Sequence, residues 1–230
     1  MAWNTVLLSA TVAAAPLSPV PARMAPATYR YAISSPQFGA IGTYVRSSDS
    51  ADGLDRAQSQ LRIVVHVLGI AVFREEADET ETWRDGRLVS FESSSTTNGK
   101  PMLVQGALRN GRLVVTTPHG TTIAPSGTVA ADPWSSRQLG PATVVTIKTG
   151  EIKRINTTGG ETEKVIVDGI PTLARHFHVS TDIQPNWWEI WLDPRGVPVK
   201  FRSLEHGRTV DFTLVNSLGA GGDKRTASGR

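Results

Sequence analysis

The chain of 230 residues contains no cysteine. Disulfides, thiolate metal sites and cysteine nucleophiles are therefore excluded, whatever the compartment. No apolar run is long enough to span a bilayer as a helix. Sustained helical periodicity with caps is also missing. So are the common enzyme signatures: no G-x-S-x-G elbow, no H-E-x-x-H and no G-x-x-x-x-G-K-[ST] loop occurs, and the Gly99-Lys100 pair lacks the upstream glycine a phosphate loop requires. Basic residues are not gathered on one stretch. The net charge is +3, of which residues 1–23 hold +1 and residues 217–230 hold +2, so the body is neutral with charges of alternating sign. A nucleic-acid binder needs a clustered basic face, and none is legible.

What is present is turn chemistry and alternation. There are 21 glycines and 14 prolines, and 39% of residues are hydrophobic, which suits a globular chain with many turns. From Tyr29 onward apolar and polar residues alternate with a period of two, the signature of strands with one buried face. The long β-branched run from Leu61 to Phe73 reads as one coiled strand with a bulge or bend at Gly69, and Asp49 to Asp55 reads as a polar loop. Asp85-Gly86, Asn110-Gly111 and Asp168-Gly169 supply the positive φ of tight hairpins; Asn98-Gly99 centres a wider turn. Strands are expected at Glu151 to Thr157 and, separately, at Glu161 to Val167. One short helical turn is expected near Asp132-Pro133. The expected fold is all-β: an antiparallel barrel, half-barrel or sandwich of hairpin-connected strands, with at most one or two short helical turns. Residues 28–216 are expected to form a single β domain, 1–27 a signal peptide or disordered leader, and 217–230 a disordered basic tail.

The leader carries the expectation about compartment. Thr5 to Ala15 is apolar, about the length of a signal-peptide core, and is followed by small residues and a Pro-rich stretch. Cleavage after Ala15 or Ala22 fits, although no Lys or Arg precedes the apolar run. A periplasmic or secreted location is the expectation, a floppy Ala/Pro extension of a cytoplasmic protein the alternative.

Chemistry-bearing residues concentrate in two places. In Asn186 to Asp193, strand alternation puts Trp188, Ile190 and Leu192 on one face and Trp187, Glu189, Trp191 and Asp193 on the other. The first face is ordinary core. The second mixes indoles with carboxylates, so it reads either as a groove wall or as a barrel strand buried on both faces with Glu189 paired to an arginine. In Arg175 to His178, His176 and His178 share one strand face, a spacing that suits zinc but lacks a visible third ligand. They stand as weak metal candidates beside the more usual reading of surface or hydrogen-bonded histidines.

The combination of Gly39-Ala40-Ile41-Gly42-Thr43, Trp83-Arg84-Asp85-Gly86-Arg87-Leu88 followed by Ser93 to Gly99, Arg175-His176-Phe177, and Trp191-Leu192-Asp193 resembles an uncharacterised family of proteobacterial secreted domains, over about residues 28–216. The block from Trp187 to about residue 203 is also similar to a hairpin of the periplasmic lipoprotein-carrier superfamily. That likeness implies a curved antiparallel sheet around an apolar cavity for acyl chains, though this chain lacks the carriers' plugging helices, apart from the turn expected near Trp134. The functional expectation is a non-enzymatic periplasmic binding or carrier protein for an apolar or amphipathic envelope molecule. Trp187, Glu189, Trp191, Trp83, Phe91 and Arg175 are its ligand-binding candidates, with a lipid or other apolar small molecule as partner and no cofactor. One alternative is an envelope assembly factor docking a protein partner through an aromatic face. Another is a metal-dependent hydrolase using His176 and His178.

Overall fold

The computed structural model describes residues 26–131, 139–140, 142–182, 187–205 and 207–219. The expected helical turn at residues 132–134, the leader and most of the basic tail lie outside these residues. The described residues contain no helix. The first half is a meander of β1 (Ala27–Ser35), β2 (Gly39–Ala51), β3 (Leu54–Val67), β4 (Ile70–Arg84), β5 (Arg87–Thr97), β6 (Lys100–Arg109), β7 (Arg112–Thr117) and β8 (Gly120–Ile123). The second half runs through β9 (Val129–Ala130), β10 (Ala142–Val145), β11 (Ile152–Val167), β12 (Ile170–Thr181), β13 (Trp187–Leu192), β14 (Pro198–Glu205) and β15 (Arg208–Gly219). All belong to one sheet in which β1 pairs with β15, so the two meanders join back to back with β8 and β9 as the outer edges.

Local chemistry explains the hairpins. Asp52, Leu68, Asp85, Asn98, Asn110 and Asp168 each have positive φ and each precedes a positive-φ glycine. Two successive left-handed residues make the primed turn whose twist matches the flanking strands. The strand boundaries differ from the sequence pattern at four places. Leu61 to Phe73 is not one strand: it reverses at Leu68-Gly69, and the bulge falls instead between Val65 and His66. Asp49 to Asp55 is not a loop but the close of one strand and the start of the next around Asp52-Gly53. Asn98-Gly99 is likewise a tight turn, and β11 is continuous, with a bulge between Gly159 and Glu161 where two strands were expected.

The sheet rolls until its two arms meet. Trp83, Phe91, Val104, Leu113 and Val115 from β4 to β7 share a core cluster with Ala130, Val145 and Ile147 from the far arm. Closure is thus achieved by side-chain packing, with no ladder between β8 and β9. The 146–151 loop sits in the mouth between the arms. Ile147 is buried there, and a Cβ at Gly150 would meet Val104, Val115 and Thr117 side chains. The antiparallel order places the β1–β2, β3–β4 and β14–β15 turns and the 146–151 loop at one end, here called the upper end. At the lower end the β11–β12 hairpin contributes Val165, Val167 and Ala174 to the cluster that holds Tyr31, Trp191, Val199 and Leu214.

Candidate functional site

Below the upper end lies a cavity of about 370 Å³. Its wall is apolar: Ile41, Leu61, Ile63 and Val65 from β2 and β3, Phe73 from β4, and Phe201, Val210 and Phe212 from β14 and β15, with Phe38 from the β1–β2 turn. Alternation explains why these side chains converge. In β3 every second residue from Asp55 to Val65 points inward. Residues more than a hundred positions apart meet because β1 pairs with both β2 and β15. Phe201 and Phe212 are direct cross-strand partners whose ring centroids lie 5.5 Å apart in an edge-on arrangement.

The polar groups are few and placed. Ser35, Glu75, Lys148, Ser203 and Arg208 complete the lining. Lys148, carried by the 146–151 loop, donates to Glu75 of β4. Beneath them a polar network fills the middle of the barrel. Arg46 Nη1 lies 3.0 Å from Glu81 Oε1 and 3.1 Å from Ser59 Oγ. Tyr44 donates its hydroxyl to Ser59 at 2.7 Å, and Trp83 donates its indole N–H to Glu81 at 3.1 Å. Glu79 accepts from Ser93 at 3.4 Å. Burial, reinforced by the neighbouring Glu81 carboxylate, pushes the Glu79 carboxyl up to about 7, against the opposing pull of Lys148 and Arg46. None of this polar chemistry is legible in the sequence, where Glu75, Glu79 and Glu81 stand among charges of alternating sign.

The six residues that the sequence pattern singles out sit elsewhere. None lines the cavity. Trp187, Glu189 and Trp191 do share a face, as alternation requires, and Ile190 and Leu192 are buried on the other, where Trp188 is half-buried. That other face is the one that continues the cavity wall, because Ile190 opposes Phe201. The Trp191 face is therefore the outer one, yet Trp191 is only 4% exposed. It stacks on His176 with centroids 4.2 Å apart, lies under Lys200 Nζ at 4.9 Å, and donates its indole N–H to Glu163. Glu189 lies 3.6 Å from Arg202, and the hydrogen bond from Arg202 to Asp211 pushes that guanidinium further up. This is the geometry of a strand covered on both faces. Trp83 and Phe91 belong to the core between the two arms, and Arg175 is exposed over the Phe177 ring.

His176 and His178 share the outer face, each against an indole: Trp191 for the first, Trp187 for the second at 5.6 Å. His176 also lies 3.4 Å from Glu163 and 3.5 Å from Glu189. Among the described residues no three histidines or carboxylates converge to hold a metal ion. A second hollow, about 450 Å³, lies over β4 to β7; Phe91, one of the six, lines it together with the exposed Thr80, Glu92, Gln105, Arg109 and Thr116. It is a mixed polar groove, bridged by a Gln105–Glu92 hydrogen bond of 2.8 Å, and offers no apolar enclosure.

Fold and cavity together define a barrel-like all-β protein, one rolled sheet, antiparallel except for the short β9–β10 pair, with an apolar hollow under one end. Comparison with known proteins agrees on the fold. The chain belongs to the domain of unknown function family DUF6134, whose profile matches residues 39–215. Among solved structures it is similar to a beta-barrel-like protein of domain of unknown function DUF1849 from Brucella abortus, with a TM-score of 0.66 and 9% identity over 86% of this chain and 99% of that one. No curated protein matches the chain.

Proposed function

We propose that this protein binds or carries an apolar or amphipathic molecule of the cell envelope, without catalysis, from a periplasmic location. The observation that carries the reading is the cavity: about 370 Å³, walled by aliphatic and phenyl groups, with an ion pair and two serines at its margin. Ligand sites have this composition, apolar enclosure with a few convergent polar groups. Chain burial supplies affinity, on the order of 25 cal/mol per Å² of apolar surface removed from water. Lys148, Arg208 and Ser203 orient a polar head. The apolar leader supports the compartment. Docking of a protein through the aromatic strand finds less support, because Trp191 is covered by its own chain.

Native mass spectrometry with solvent extraction, on protein purified from its own source, tests the proposal. A co-purifying amphipath, displaced in a Leu61→Trp variant that fills the cavity, is the expected result. Wild-type protein that neither retains such a molecule nor takes up a fluorescent fatty acid would overturn it.

A further inference from the structure

The β3–β4 hairpin ends in an apolar tip that the fold does not use. Val67, Leu68, Ile70 and Val72 are 42%, 97%, 69% and 53% exposed. Leu68 is the informative residue. Among the described residues, six two-residue turns put a non-glycine in positive φ; five place Asp or Asn there and only this one places leucine, at φ 51°. Asp and Asn tolerate that conformation, whereas leucine is disfavoured in it. Leu68 meets that strain and exposes almost its whole side chain, so neither local structure nor packing accounts for it.

The position of the tip points to what covers it. It stands at the upper end, above the cavity mouth, and Val65 and Phe73, cross-strand partners just below it, are cavity-lining residues. Apolar surface therefore runs from the cavity to the tip. Between Leu61 and Arg74 there is no carboxylate; Arg62, His66 and Arg74 flank the tip, with Arg62 held 3.1 Å from Glu76. Four side chains at one hairpin end are far too few for a stable protein interface, which buries roughly 1,200 Å² or more. They suffice for partition into a bilayer interface, where apolar contacts add singly and the flanking Arg74 favours anionic lipid.

We infer that the Val67–Val72 tip inserts into the interfacial layer of a lipid bilayer and sets the cavity mouth against the membrane. Insertion itself does not require the cavity to hold a ligand; the exchange of an amphipath between membrane and cavity rests on the function proposed above.

Vesicle flotation of the full chain tests this, with vesicles of phosphatidylethanolamine and phosphatidylglycerol. Leu68→Asn is the decisive variant, because it restores the turn residue used at the other hairpins while removing the apolar contact. Wild-type protein co-floats, and Leu68→Asn lowers the partition coefficient about tenfold or more, the scale of one large apolar side chain, with a melting temperature equal to or above wild type. Should Leu68→Asn melt lower, Ile70→Thr carries the comparison, since threonine suits an exposed strand position. Wild-type protein that stays unbound, or folded variants that float as well as wild type, would overturn the inference. Fluorescent fatty-acid uptake reads the cavity separately: uptake retained by Leu68→Asn assigns the flotation loss to the tip, and uptake absent from every form counts against the cavity alone.

Discussion

Replacing Glu79 by glutamine isolates a strongly perturbed carboxyl inside the barrel. Glu79 lies on the inner face of β4, opposite Ser59 on one side and Ser93 on the other. Its pKa is raised from 4.5 to about 7, first by burial and then by Glu81. In that window the folded protein holds a proton that the unfolded chain has released. Stability is therefore highest below the unfolded pKa, falls as pH rises towards the folded value, and levels off above it. At 1.36 kcal/mol per unit, the full span is roughly 3 kcal/mol. Glutamine is close in shape and cannot ionise, so Glu79→Gln removes this slope and makes the variant more stable than wild type above about pH 7, by roughly 2–3 kcal/mol. Urea denaturation of both proteins at several pH values between about 5 and 8 measures it, with titrating groups that do not interact with Glu79 cancelling in the difference. Parallel stability–pH curves for the two proteins would refute the assignment of that proton to Glu79.

Other parts of the structure give sharper mechanical tests. Arg46→Leu leaves Glu81 buried without its guanidinium and destabilises the fold by about 3–5 kcal/mol, read as a lowered denaturant midpoint. Gly106→Ala places a methyl group 1.9 Å from the Phe91 ring, and costs about 1–3 kcal/mol by overpacking. Adding Phe91→Leu recovers part of that loss, a coupling that a double-mutant cycle detects. Tyr31→Phe removes the 2.9 Å hydrogen bond from the Tyr31 hydroxyl to the Pro198 carbonyl. Thermal unfolding registers the loss as about 1 kcal/mol, with the secondary-structure spectrum unchanged.

The hairpin architecture is legible in the sequence because its causes are local. Asp85-Gly86, Asn110-Gly111 and Asp168-Gly169 set reversals through left-handed backbone preference, and period-two alternation sets which residues share a face. The same logic groups Trp187 with Glu189 and Trp191, as observed. Where local chemistry is atypical, the pattern misleads. Leu68-Gly69 carries no Asx signal, so its β-branched surroundings point to a bend in one long strand where the chain in fact reverses.

Alternation says which side chains travel together but not which side is inside. That depends on the direction in which the whole sheet curls, a property of all strands at once. Rolling the sheet set the Ile190 face inward and the Trp191 face outward, and the β11–β12 hairpin then brought Val165, Val167 and Ala174 to the Trp191 cluster. The cavity arises the same way. Ile63 and Phe212 line one hollow only because β1 bridges the first meander to the last strand, and Lys148 reaches Glu75 only because a loop from the far arm enters the mouth. What the sequence by itself determined was most of the strands, several of their turns and the pairing of faces, since these follow from neighbours along the chain. The interior, the buried charge network and the placement of the apolar tip over the cavity mouth were decided by long-range closure, which brings together residues that local patterns cannot relate.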